Sequence, residues 1–176
     1  MDTRNLADRY ALPALDWSSV TDRLGAGFGQ APGAGGPDRH TTWLTTLDPD
    51  GGPHVTAVGA LWVDGCLWFE TGETTRKGRN LARDPRCTAA ISTREFDLVV
   101  AGTAEVVTER DTVARLAAAW AEDGWPCEVD ESGTALTAPF SAPSAGGPPW
   151  AVYRLTARSA HAVATVEPGG ATRWTF

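Results

Sequence analysis

Apolar and polar positions alternate through the middle of the chain and break at short runs of Asp, Pro and Gly, a pattern that predicts β-strands joined by tight turns. Residues 40–47, rich in Thr and carrying Trp43, form the first such stretch, and Asp48-Pro49-Asp50-Gly51-Gly52 supplies turn dihedrals after it. A return strand over 54–63 completes a hairpin. The turn at Asp64-Gly65 then leads into 66–71, so three antiparallel strands meander. Residues 86–93 and 97–108 are two further β-rich stretches around a charged turn at Arg94 and Glu95, and 150–155, 160–166 and 171–176 read as closing strands.

Helical spacing interrupts this pattern at three places. Trp17, Val20 and Leu24 predict a short amphipathic helix over 16–24, packed over one end of a barrel. Thr74 or Thr75 suits the N-cap of a second short helix that Asp84-Pro85 stops. Val113, Leu116, Ala117 and Trp120 share one face of a longer helix, opened by a capping-box pattern at Thr108-Glu109-Arg110-Asp111 and ended by Gly124. Contiguous strands with one small helix inside them and one longer helix late predict a mainly β, α+β fold: a Greek-key-like antiparallel barrel with peripheral helices. A doubly wound parallel sheet would need regular alternation of strand and helix, which 40–71 lacks. One domain over 1–176 is expected, with 1–39 as helix and Gly/Pro-rich loop and 40–176 as barrel.

Charge narrows the partners. With 15 Lys+Arg against 22 Asp+Glu, the net charge of -7 gives no general attraction to nucleic acid or anionic membrane, so any bound phosphate must meet a local basic cluster. Residues 1–15 carry Asp2, Arg4, Asp8 and Arg9 where a secretory signal needs an apolar core, and no apolar run approaches membrane-spanning length. Cys66, Cys87 and Cys127 form no CxxC pair and read as small apolar residues in a reducing compartment, so a cytoplasmic protein is expected. Most of the eight tryptophans read as core, with one or two left to line a pocket for a planar ring.

The basic cluster lies at 71–83, where a strand end brings Thr71, Thr74 and Thr75 beside Arg76, Lys77 and Arg79. Hydroxyls, cations and the free amides of a helix start suit a phosphate, while the same residues also suit a solvated helix face. The glycines of 25–39 lack the spacing of a dinucleotide fingerprint, and no strand precedes them. No HExxH or GxSxG spacing occurs, so no metal site and no catalytic side chain is assigned, which favours cofactor chemistry. His54, beside a turn, is a structural residue or a proton donor; His40 and His161 are weaker candidates for that role.

The succession Leu44 to Leu47, Asp50-Gly51, Pro53-His54-Val55-Thr56, Asp64-Gly65-Cys66-Leu67-Trp68-Phe69-Glu70-Thr71-Gly72 and Arg76-Lys77-Gly78-Arg79-Asn80-Leu81-Ala82-Arg83-Asp84-Pro85-Arg86 resembles the pyridoxamine 5'-phosphate oxidase-like FMN-binding split barrels. It is most similar to their actinobacterial flavin/deazaflavin oxidoreductases, which use coenzyme F420. The resemblance implies a split barrel and a homodimer with cofactor sites at the interface. It implies that Val55, Thr56 and Ala57 face the ring through backbone groups, with His54 in the same site. Thr71, Thr75, Arg76, Lys77 and Asn80 would hold the phosphate and its linker, and Arg173 and Trp174 would approach from the partner chain. The function implied is hydride transfer between F420, or FMN, and a small conjugated organic molecule; the alternative is a carrier that binds a flavin, haem or related ligand without turnover. The loops 25–39 and 139–149 would cover the cleft, and Trp43 and Trp150 would flank the substrate.

Overall fold

The computed structural model describes residues 1–28 and 41–176, so the Gly/Pro-rich loop from 29 onward and the expected strand start at His40 lie outside the described residues. β2 (Thr42–Leu47) and β3 (Pro53–Val58) pair from Thr42↔Val58 to Leu47↔Pro53, after β1 (Asp2–Asn5) and α1 (Trp17–Gly25). The single return strand expected over 54–63 is two strands: Gly59 breaks it, and β4 (Ala60–Val63) pairs with β5 (Cys66–Thr71) instead of β2. A glycine between short strands suits a barrel corner. Two hairpins that share this corner therefore replace the expected meander.

α2 (Arg76–Arg83), β6 (Arg86–Ser92), β7 (Phe96–Val107) and α3 (Arg110–Glu122) follow, then the small hairpin of β8 (Glu128–Val129) and β9 (Leu136–Thr137). The strands expected at 150–155 and 160–166 are one, β10 (Ala151–Ala164), which pairs with β7 from Val152 to Ala164. On its other edge β10 pairs first with β5, through Ala151–Leu155, and then with β11 (Ala171–Thr175), through Ser159–Val163. A register shift between Ala157 and Ser159 marks the change of partner, and the Arg158 carbonyl there accepts the Phe176 amide at 3.1 Å. Opposite it, a Cβ on Gly102 would sit 2.0 Å from the Thr156 carbonyl oxygen, so only glycine permits this approach of β7 to β10.

The ring runs β3-β2-β6-β7-β10-β5-β4, and because only Gly59 separates β3 from β4 it closes on itself. β1, read from sequence only as a charged segment, extends the sheet beyond β11. Alternation divides the core in two. Leu67 and Phe69 of β5 face the barrel interior, where Phe69 stacks on Tyr153 at 5.1 Å; Trp68 faces outward into a second cluster with Trp120, Cys127, Leu136, Trp150 and Val152. α1, capped by Asp16, buries Val20 and Leu24 in the first cluster, and α3 buries Val113, Leu116, Ala117 and Trp120 in the second. The capping box expected at α3 does not form: Glu109 is the N-cap, and no side chain caps it. Among the described residues no helix is long and apolar enough to cross a membrane.

Candidate functional site

At the end of β5 the chain turns through Gly72, Glu73 and Thr74 into α2, and Thr75 caps the helix by accepting the Gly78 amide at 3.1 Å. The Thr75 hydroxyl donates to the Gly72 carbonyl at 2.8 Å and lies 3.1 Å from that of Thr71, which ties strand end to helix start. A Cβ on Gly78 would fall 2.5 Å from the Gly72 carbonyl oxygen, so the helix folds directly back on the turn.

Asp48, read from sequence only as a turn former, organises this corner. Its carboxylate accepts Arg76 at 2.8 and 2.5 Å and Asn80 at 3.0 Å, while Asn80 also donates to the Thr46 hydroxyl at 3.1 Å. Arg83 donates to the Leu47 carbonyl, so three residues of α2 clamp the end of β2. The Arg76 hydrogen bond, helped by Asn80, holds the Asp48 carboxyl below its usual range, and Arg76 is raised in return. The Arg76 side chain stays 61% exposed.

Lys77, expected beside Arg76 at a phosphate, points the other way. It is buried, and its ammonium donates to the Ser144 carbonyl. Because α2 is short and amphipathic, the position after Arg76 falls on its inner face. Burial lowers Lys77 while Glu70 opposes that shift, and burial pushes Glu70 up to about 7 against the pull of Lys77. Among the described residues the buried Glu70 Oε2 has no hydrogen-bond partner.

The remaining candidates divide between two regions. His54, Val55, Thr56 and Ala57 lie on β3 opposite Thr46, Thr45, Leu44 and Trp43, and His54 helps to hold Asp48 ionised. Among the described residues β3 pairs only with β2, so its other edge presents backbone groups. Arg173 and Trp174 lie on β11, away from the turn; Arg173 is exposed, opposite Arg4 and His161. Trp174 does not reach outward toward another chain. It is 1% exposed inside its own barrel, 5.0 Å from Trp17, because the alternation of β11 turns it inward. Trp150 likewise fills the second core at 2% exposure and is not free to flank a substrate, whereas Trp43 is 51% exposed.

Glu70 and Asp48 are the functional candidates that sequence reasoning missed. The signal for Glu70 is an ionisable residue within Leu67-Trp68-Phe69-Glu70-Thr71, a strand covered on both faces. Burial pushes the Cys87 and Cys127 thiols up to about 12, so both are neutral. Among the described residues no group of three or more His, Cys, Asp and Glu is placed to hold a metal ion. Outside the barrel a groove of about 310 Å³ is lined by Thr45 and Leu47 of β2, Arg86 and Thr88 of β6, Gly102 of β7 and Arg158 of β10. Leu47 lines this groove and also receives Arg83 of α2, so the groove opens beside the helix.

A ring of antiparallel strands that passes from β3 to β4 through Gly59, with a short helix folded from the end of β5 onto the end of β2, is the split-barrel pattern. Residues 36–164 match the family model of pyridoxamine 5'-phosphate oxidase, and the chain belongs to that family. It is similar to a conserved hypothetical protein of Mycobacterium tuberculosis at 22% identity and a TM-score of 0.58, covering 84% of this chain and 83% of that one. A pyridoxamine 5'-phosphate oxidase-related, FMN binding protein of Nostoc punctiforme shares 14% identity at a TM-score of 0.58, with 93% of each chain covered. A heme binding protein of Mycobacterium smegmatis shares 18% identity at 0.57, covering 90% of this chain and 59% of that one. At these identities the likeness is one of fold. No curated protein matches the chain.

Proposed function

We propose that the chain binds a flavin-type cofactor, coenzyme F420 or FMN, with its phosphate at the start of α2, and moves a hydride between that cofactor and a small conjugated organic molecule. Membership of the family over 36–164, a span that contains the β5–α2 turn, carries this reading. The donors at the turn fit a phosphate: the Arg76 and Lys77 amides have no helical carbonyl to meet, and the Arg76 guanidinium, paired with Asp48, is still exposed. Lys77 contributes its amide and not its ammonium. The cofactor supplies the hydride chemistry, while the open edge of β3 at His54, Val55, Thr56 and Ala57 orients the ring and the barrel wall excludes water.

Titration with FMN and with F420 tests this. Arg76→Ala is expected to weaken the preferred cofactor about tenfold or more, the usual scale for a charged hydrogen bond. Unchanged affinity for both would place the phosphate elsewhere. The second reading, a carrier for the same class of ligand, is favoured by the burial of Glu70 and Lys77, which keeps this acid and base from a ligand at the turn. Binding without reduction of any quinone, enone or tetrapyrrole would select it.

We further propose that the protein works as a homodimer. Trp43 and Val55, 51% and 53% exposed, stand on the same outward face of β2 and β3, an apolar surface that a second copy would cover. Sedimentation at low micromolar concentration is expected to give about twice the 18.6 kDa chain mass, and Trp43→Glu to shift it toward one. A wild-type monomer would refute this.

A further inference from the structure

The 138–149 segment between β9 and β10 lies as a strap across the start of α2. Among the described residues four hydrogen bonds fasten it: the Ala145 carbonyl accepts the Gly72 amide at 2.9 Å, the Gly146 carbonyl accepts the Trp150 indole at 3.0 Å, the Phe140 carbonyl accepts the Trp125 indole at 2.7 Å, and the Ser144 carbonyl accepts the Lys77 ammonium. Only the last involves an ionisable group. A buried ammonium demands a strong acceptor, and an ionised carboxylate outcompetes a carbonyl dipole for it.

Such a carboxylate is at hand. Glu70 lies on the same face of β5 as Trp68, opposite Val152 of β10, and interacts electrostatically with Lys77. The other titratable group acting with it is Cys127, whose thiol stays protonated across the working range. α3 contributes Val113, Leu116, Ala117 and Trp120 to this core, and the strap contributes Ala145, none of them charged. Among the described residues no donor reaches Glu70 Oε2.

We propose that Glu70 and Lys77 form a proton-linked latch on the strap. With Glu70 protonated, Lys77 is committed to the Ser144 carbonyl and the strap is held against Gly72. Ionised Glu70 draws the ammonium to itself, and the strap is released from the helix start. The latch needs no cofactor, so its failure and that of the cofactor reading are separately visible.

Amide hydrogen exchange of the full chain without cofactor at pH 6 and pH 8, corrected for intrinsic rates, tests it. Peptides covering 141–147 are expected to exchange about tenfold faster at pH 8, while peptides from α3 do not change. Glu70→Gln should keep the strap slow at both pH values, and Lys77→Met should make it fast at both. Equal protection at the two pH values in the wild type overturns the latch, as does a pH effect that survives in Glu70→Gln or spreads evenly to α3. Should Lys77→Met fail to fold, the comparison of wild type with Glu70→Gln decides alone.

Discussion

Glu70→Gln is expected to raise the melting temperature at pH 8 by roughly 5–10 °C and to change it little at pH 5. Burial raises the Glu70 carboxyl from 4.5 to about 7, so between these values the folded chain holds a proton that the unfolded chain has released. Stability therefore falls as the pH rises through this window, and above it the cost levels off on the order of 3 kcal/mol. Gln keeps the shape and carries no charge, which removes that slope. Lys77 acts with the opposite sign at higher pH: its lowered value lets stability recover as the pH climbs toward 10.5, where the unfolded chain gives up its own proton. On the acid side Asp84, held at about 2 by Arg86, stabilises above pH 4 and loses that effect as the pH falls through 2. Melting curves from pH 4 to 9 would show the difference, and a Glu70→Gln protein with the wild-type slope would disprove the argument.

Trp174→Ala is expected to cost about 3–5 kcal/mol, the usual range for a large aromatic removed from a packed core. The side chain is 1% exposed and lies 5.0 Å from Trp17, which continues to Trp62 at 6.2 Å, so its loss empties the junction of α1 and β11. Urea unfolding measures this directly. A loss below 1 kcal/mol, accompanied by abolished cofactor affinity, would return Trp174 to a ligand-binding role.

The mainly β architecture was legible because its signals are local. Asp48 to Gly52 and Asp64-Gly65 are turn chemistries that need no tertiary knowledge, and the N-cap at Thr75 and the stop at Asp84-Pro85 follow from a hydroxyl and an imide. What escaped depends on partners distant in sequence. β1 is a charged tetrapeptide made a strand by β11, and Gly59 divides one apolar run because two halves of it serve different neighbours. The position of the turn between β5 and α2 was legible, but the directions of its side chains were not. Arg76 and Lys77 are adjacent and equally charged, and which of them faces water is decided by Asp48 on one side and Ser144 on the other.

The change of partner along β10 constrains how this protein can vary. Before the bulge the odd-numbered Ala151, Tyr153 and Leu155 are buried in the barrel; after it the even-numbered Ala160 and Ala162 are, with His161 and Val163 outside. Arg158 thus acts as a phase corrector. Deleting one residue of 157–159 would remove the bulge and leave a regular strand with both alanines still facing inward, whereas adding one would turn His161 and Val163 inward and expel both alanines. The stretch therefore cannot grow by one residue without inverting the second half of β10, whatever side chains it carries.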